Sequence, residues 1–245
     1  MHELFIRGIR INWQNVDRTS WLHTVPALTS VSELSFTCPV TFLAGENGTG
    51  KSTFLEALAE AAGFNPEGGT KNYRFSTHDS GSGLASHIQV IRGAQREKWG
   101  YFLRAESFFN VATMEEEYSR GPGGIPAHYH EQSHGESFLS LAENHLSGRG
   151  LYLLDEPEAA LSVSRQLTLL TAIHDSVRNG SQFIIASHSP ILLAYPGAEI
   201  LSFDDGLIHS VQYEDTDSYR LMNLFMRDRE RLLYRLFAEN ENPDE

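Results

Sequence analysis

Residues 45–52, Gly45-Glu46-Asn47-Gly48-Thr49-Gly50-Lys51-Ser52, constrain this chain more than any other stretch. Glycine admits backbone conformations that a Cβ atom closes off, and here it recurs three times in eight positions. The stretch satisfies G-x-x-x-x-G-K-[ST] at every fixed place. Its flanks give it a context. Pro39–Ala44 is an apolar run of strand length, and Ser52–Ala62 sets Phe54, Leu55, Leu58 and Ala62 on one helical face, with Gly63 as a stop. A strand that turns through such a loop straight into a helix aims several backbone N–H groups, and the positive end of the helix, at one point. That arrangement suits a polyphosphate. It implies that residues 45–50 wrap the phosphates and that Lys51 reaches the β and γ groups. The Ser52 hydroxyl then ligates Mg²⁺, and Thr53 touches the α phosphate.

A second apolar run, Leu151–Leu154, ends in Asp155-Glu156-Pro157. A buried strand of a parallel sheet delivers its last residues to the carboxyl edge, where ligands bind. There Asp155 is expected to hold Mg²⁺ through water, and Glu156 to orient or deprotonate a water attacking the γ phosphate.

The remaining pattern alternates strand and helix, which argues for an α/β fold with a mostly parallel sheet flanked by helices. Leu4–Ile11 and Gln182–Ala186 read as strands and Ser164–Val177 as a helix. Leu201–Phe203 and Leu207–Gln212 read as a hairpin around Asp204-Asp205-Gly206. His87–Arg92 and Trp99–Arg104 also read as an antiparallel β hairpin, and Glu136–Leu146 as a helix. Thr216–Ala238 is expected to be one helix whose stripe of Leu221, Phe225, Leu232 and Leu236 packs into the core. The whole of 1–245 reads as a single domain: a nucleotide core over 1–64 and 131–212, a hairpin-and-loop insertion over 65–130, and a C-terminal helix over 216–238.

Composition narrows the function classes. Nineteen basic residues against 32 acidic ones give a net charge of −13, which disfavours nucleic acid and anionic membrane at long range. DNA contact would need a local patch, and Arg92, Arg96, Lys98 and Arg104 are the candidates. Cys38 is the only cysteine, so no intramolecular disulfide forms and a reducing, cytoplasmic setting is expected. The N-terminus has no signal-peptide layout, and no apolar run is long enough to cross a bilayer. His128, His130 and His134 are close together but read as polar loop residues, and Glu115-Glu116-Glu117 as a solvated face.

Taken in order, these motifs resemble the ATP-binding-cassette class of P-loop ATPases. Gln132-Ser133-His134-Gly135-Glu136 is similar to that family's signature, with Ser133 82 positions beyond Lys51. Residues 155–162 resemble its Asp-Glu-Pro run into the dimer-contact loop, and Ser187-His188-Ser189-Pro190 its switch-histidine loop. The short spacing leaves no room for long coiled-coil arms. The opening Leu4–Ile9 and the signature Glu136 resemble the compact RecF/SMC-like branch, and the acidic-strand run with Ser187-His188-Ser189-Pro190 resembles compact bacterial ATPases of the AAA type. The resemblance implies Mg²⁺-dependent ATP hydrolysis, with Lys51, Glu156 and His188 catalytic and Ser52 and Asp155 on the metal. It also implies an ATP-dependent homodimer in which Ser133, His134, Gly135 and Glu136 act on the opposing chain's nucleotide. The output is expected in soluble DNA maintenance or genome defence, with DNA, a nuclease or another effector as partner. The alternatives are the ATPase subunit of a membrane transporter and a nucleotide-gated module that does not hydrolyse. Three departures stand out: His134 replaces a signature glycine, Ser162 replaces the dimer-loop aspartate, and no glutamine loop is found near 102–109, where Glu106 is the nearest substitute. Trp13 and Trp21 are the aromatic candidates for stacking on adenine.

Overall fold

The computed structural model describes residues 3–71, 83–104, 140, 145–146 and 148–241. Nine strands form two sheets among them. β1 (Ile6–Ile11) lies between β2 (Glu33–Ser35) and β4 (Ile88–Arg92), antiparallel to both. The larger sheet has the order β5 (Gly100–Arg104), β6 (Leu151–Asp155), β7 (Gln182–Ala186), β3 (Val40–Ala44), β8 (Glu199–Ser202), β9 (His209–Val211). The first five of these are parallel, and β9 returns antiparallel to β8 as the expected terminal hairpin.

The central strands are buried on both faces, which is why they read as continuous apolar runs. Their side chains nevertheless alternate between two cores. Leu43, Leu151, Leu153, Ile184 and Ala186 join Phe54, Leu55 and Leu58 of helix α1 (Lys51–Ala62) on one face. Phe42, Tyr152, Leu154, Phe183 and Ile185 meet Leu169, Ile173 and Val177 of helix α2 (Val163–Arg178) on the other. The small sheet packs on the α1 side. Gln182 ties it to the large one: its Oε1 accepts from the Phe5 and Ile6 N–H groups at 2.9 Å, and its Nε2 donates to the Ile6 carbonyl at 2.8 Å.

Three expectations need correction. β4 and β5 do not pair as a hairpin. β4 completes the small antiparallel sheet, while β5 lies parallel to β6 at the edge of the large one, with Arg104 level with Asp155. Both strands are apolar enough for either pairing, and the connection does not decide between them. The C-terminal helix is two helices, α3 (Asp217–Arg227) and α4 (Arg229–Glu241), broken at Asp228, whose φ/ψ of −146° and 59° is not helical. Their apolar stripe is not core: Leu221 is 64% exposed and Leu236 49%. The helix expected over Glu136–Leu146 lies almost wholly outside the described residues.

Candidate active site

Three neighbouring strands, β6, β7 and β3, carry the chemistry at their carboxyl ends. Register puts Asp155 opposite Ala186, and Ala186 opposite Leu43. The acidic pair, the histidine loop and the glycine loop therefore leave the sheet at one level.

The glycine loop follows β3 without a break. Gly45 has φ +137°, and a Cβ there would stand 2.9 Å from the Asp204 carboxylate. Gly50, at φ +100°, would drive a Cβ to within 2.8 Å of Val25. Only glycine meets both the conformation and the space. Asp204, at the β8–β9 turn, steadies the loop by accepting the Glu46 N–H at 2.8 Å. The sequence marked Asp204 only as a turn residue, because the contact depends on β8 lying beside β3.

Lys51 begins α1 and is almost fully buried. Its ammonium donates to the carbonyls of Gly45 (2.8 Å) and Glu46 (2.7 Å), so the side chain folds back over the loop it terminates. Burial pushes the lysine below its ordinary pKa, and the carboxylates of Glu156, Asp204, Asp155 and Glu158 oppose that. A triphosphate in the loop would satisfy the same buried cation.

The next residue, Ser52, donates to Asp155 Oδ1 at 3.0 Å. A hydroxyl and a carboxylate paired at the mouth of a phosphate loop are hard oxygen donors of the kind Mg²⁺ takes, usually with waters and phosphate oxygens completing its shell. The described residues hold no group of three or more His, Cys, Asp or Glu side chains that could cage a metal by themselves. Arg104 flanks the acid, with its Nε 4.0 Å from Asp155 Oδ2 and its Nη1 3.1 Å from Glu56.

Glu156 is one of two non-glycine residues described with positive φ, at +47°. This left-handed turn is uncommon for a side-chain-bearing residue and costs about 1 kcal/mol or more. It reverses the chain at the strand end and sets Glu156 Oε1 3.3 Å from His188 Nε2. Both side chains are about one third exposed and open to an incoming ligand. A cleft of about 490 Å³ runs from Gly45 and Glu46 past His188 to Asp217 and Leu221 of α3.

The structure thus brings together residues 45–53, Asp155, Glu156 and His188. Ser133, His134, Gly135 and Glu136 lie outside the described residues, as do Glu106, His128 and His130. The four basic candidates differ in their surroundings. Arg92 is paired with Glu97 and bonded to the Ala62 carbonyl, and Arg104 turns inward to Glu56 and Asp155, so only Arg96 and Lys98 remain exposed. Trp13 is committed to structure, its indole N–H donating to the Val31 carbonyl at 2.7 Å, while Trp21 is exposed.

Comparison with known proteins agrees with this geometry. The family described as "AAA domain" matches residues 29–123, and that described as "AAA domain, putative AbiEii toxin, Type IV TA system" matches 137–194. The chain is 28% identical over 161 residues to the cytochrome c biogenesis ATP-binding export protein CcmA of Rhodopseudomonas palustris (strain BisB5), covering 62% of this chain and 79% of that protein. It is 28% identical over 164 residues to CcmA of Rhizobium etli, covering 61% and 75%. A solved SMC head domain from Thermotoga maritima aligns at 15% identity over 86% of this chain and 97% of that one, with a TM-score of 0.41. The glycine loop and the acidic strand end are those of a P-loop ATPase, and over these residues the chain is similar to AAA domains and to an ATP-binding export protein. Its reaction is the hydrolysis of ATP.

Proposed function

We propose that this chain is an Mg²⁺-dependent ATP switch: two copies close around nucleotide, hydrolyse it and reopen, in a soluble DNA-maintenance or genome-defence task. One observation carries the chemical part of the reading. The lysine, the Ser52–Asp155 pair and the Glu156–His188 pair all lie at the carboxyl edge of three adjacent parallel strands. In this reading residues 45–53 bind the triphosphate, and Lys51 neutralises the β and γ groups. Ser52 and Asp155 hold Mg²⁺, which supplies further charge neutralisation on the phosphates. Glu156 orients the attacking water and takes up its proton, and His188 contacts the γ phosphate.

Ser133, His134, Gly135 and Glu136 then serve the opposite chain's nucleotide, so each site is shared. Mixing inactive K51A chains with inactive S133R chains tests this. The mixed dimer holds one site with both defects and one with neither. Recovery of phosphate release on mixing supports sharing; where the chains are shown to exchange and one intact site suffices for turnover, no recovery overturns it.

The defence output is supported by the matched family description that names a type IV toxin–antitoxin system. The lone Cys38 fits a cytoplasmic setting. A second reading, the ATPase subunit of an export system, is favoured by the CcmA similarity over 161 residues. Pull-down with E156Q in ATP separates the two, because that variant should hold the closed state. A nuclease, another effector or DNA in the eluate supports the defence reading, and a membrane permease supports the export reading.

A further inference from the structure

We infer that Glu158 is a positioning residue for turnover, acting through the backbone of His188. The inference rests on the proposed role of His188 at the γ phosphate.

Two residues after Glu156, the chain has turned back on itself in the short 3-10 segment Pro157–Ala160. The turn points the Glu158 carboxylate at the loop after β7. Its Oε1 accepts three hydrogen bonds there, from Ser187 Oγ at 2.9 Å, the His188 N–H at 2.5 Å and the Ser189 N–H at 3.1 Å. A carboxylate that takes two consecutive backbone N–H groups fixes the orientation of the peptide between them, and such charge-assisted bonds are among the stronger ones in a protein. His188 is therefore held at both ends by one short segment. Glu156 meets its imidazole and Glu158 its main chain.

The rest of the histidine loop is tied independently. The Ser187 N–H donates to the Leu43 carbonyl, and Ser189 Oγ donates to Gln166 Oε1 of α2 at 2.6 Å. These bonds anchor the two neighbours of His188. Glu158 alone links the histidine's own N–H to the loop that carries Glu156. Glu158 Oε2 is buried and has no hydrogen-bond partner among the described residues. One carboxylate oxygen thus makes all three contacts, and an amide oxygen in its place could accept the same donors. Movement of the acidic loop is transmitted to His188 through this carboxylate, and the distance between water-orienting acid and histidine is kept as the site closes.

The test is steady-state phosphate release by E158A, E158Q, H188A and E158A/H188A. E158A should lower kcat by about 10- to 100-fold, the loss expected when charge-assisted hydrogen bonds are removed, with KM for ATP within about threefold of the unmodified chain. E158Q keeps the acceptor oxygen and should stay within about threefold of normal kcat. The double variant should be no slower than H188A by more than about twofold, because the carboxylate acts through the histidine. Normal turnover by E158A, or losses that multiply in the double variant, would overturn the inference. If E158A does not fold, E158D carries the test: it keeps the charge but loses the reach, and should be slow. Normal turnover by E158D overturns the inference equally. Normal turnover by H188A overturns the histidine's role and the inference with it. A slow H188A beside a normal E158A overturns the inference alone.

Discussion

At the carboxyl edge of the large sheet, the polar side chains are held by the chain itself. Lys51 bonds two carbonyls, Ser52 bonds Asp155, Asp204 holds the glycine loop, and Glu158 holds the histidine loop. The C-terminal pair α3–α4 shows the opposite. Met226, Tyr234 and Phe237 are 74%, 75% and 61% exposed, and α3 buries none of its residues. Both regions have strong sequence patterns. In the first, each residue type meets a partner fixed by the sheet. In the second, helical periodicity creates an apolar face that the described residues do not cover. An amphipathic period reports that a face exists, and it does not report what lies against it.

The largest effects should come from the sheet edge. K51A removes the charge facing the β and γ phosphates and should weaken ATP binding by about 100-fold or more, read by nucleotide titration. E156Q should bind ATP normally and lose turnover by about 10²- to 10⁴-fold, read as phosphate release, since it loses only the basic oxygen. Normal hydrolysis by E156Q would break the assignment of Glu156.

Core packing comes next. L169A opens a cavity beneath α2, where the side chain is fully buried, and should cost about 2–5 kcal/mol in chemical denaturation. The matched change L236A on the exposed stripe should stay within about 0.5 kcal/mol. If L236A proves as costly as L169A, the stripe is covered in solution and the contrast between the two regions fails.

A smaller effect is expected at Glu97, which is buried between Lys71 and Arg92. Burial pushes its carboxyl up, but the Lys71 bond, a backbone bond and the two positive charges outweigh that and hold it below its ordinary 4.5. A folded-state value below the unfolded one contributes stability that is complete above pH 4.5 and is lost as the pH falls through the lower value. E97Q should therefore lower Tm by a few degrees at neutral pH, and the gap should narrow on acidification. A gap that does not change with pH would rule out the ionised pair.

The sequence also misled in instructive places. Arg92 and Arg104 look like surface charge on a hairpin, yet they pair with Glu97, Glu56 and Asp155, because β4 and β5 go to different sheets. Strand pairing is a non-local choice, and alternation within each strand carries no information about its neighbour. The bonding roles of Asp204, Glu158 and Gln182 went unread for the same reason. Each makes its decisive bonds to groups 29 or more positions away, which no local pattern reveals.

What the sequence determined alone was local. Glycines at 45, 48 and 50 select backbone that other residues avoid, so the loop, its lysine and its serine were readable in place. The helix ending at Gly63 and the strand ending at Asp155 followed from periodicity and from residue types that act within a few positions. Tertiary structure decided which ends meet. Only the order β6–β7–β3 brings Asp155, His188 and Gly45 to one edge, and only the left-handed turn at Glu156 swings Glu158 back onto the histidine loop. Those outcomes depend on burying two cores at once across the whole sheet, an energy that belongs to the assembled layers and to no single segment.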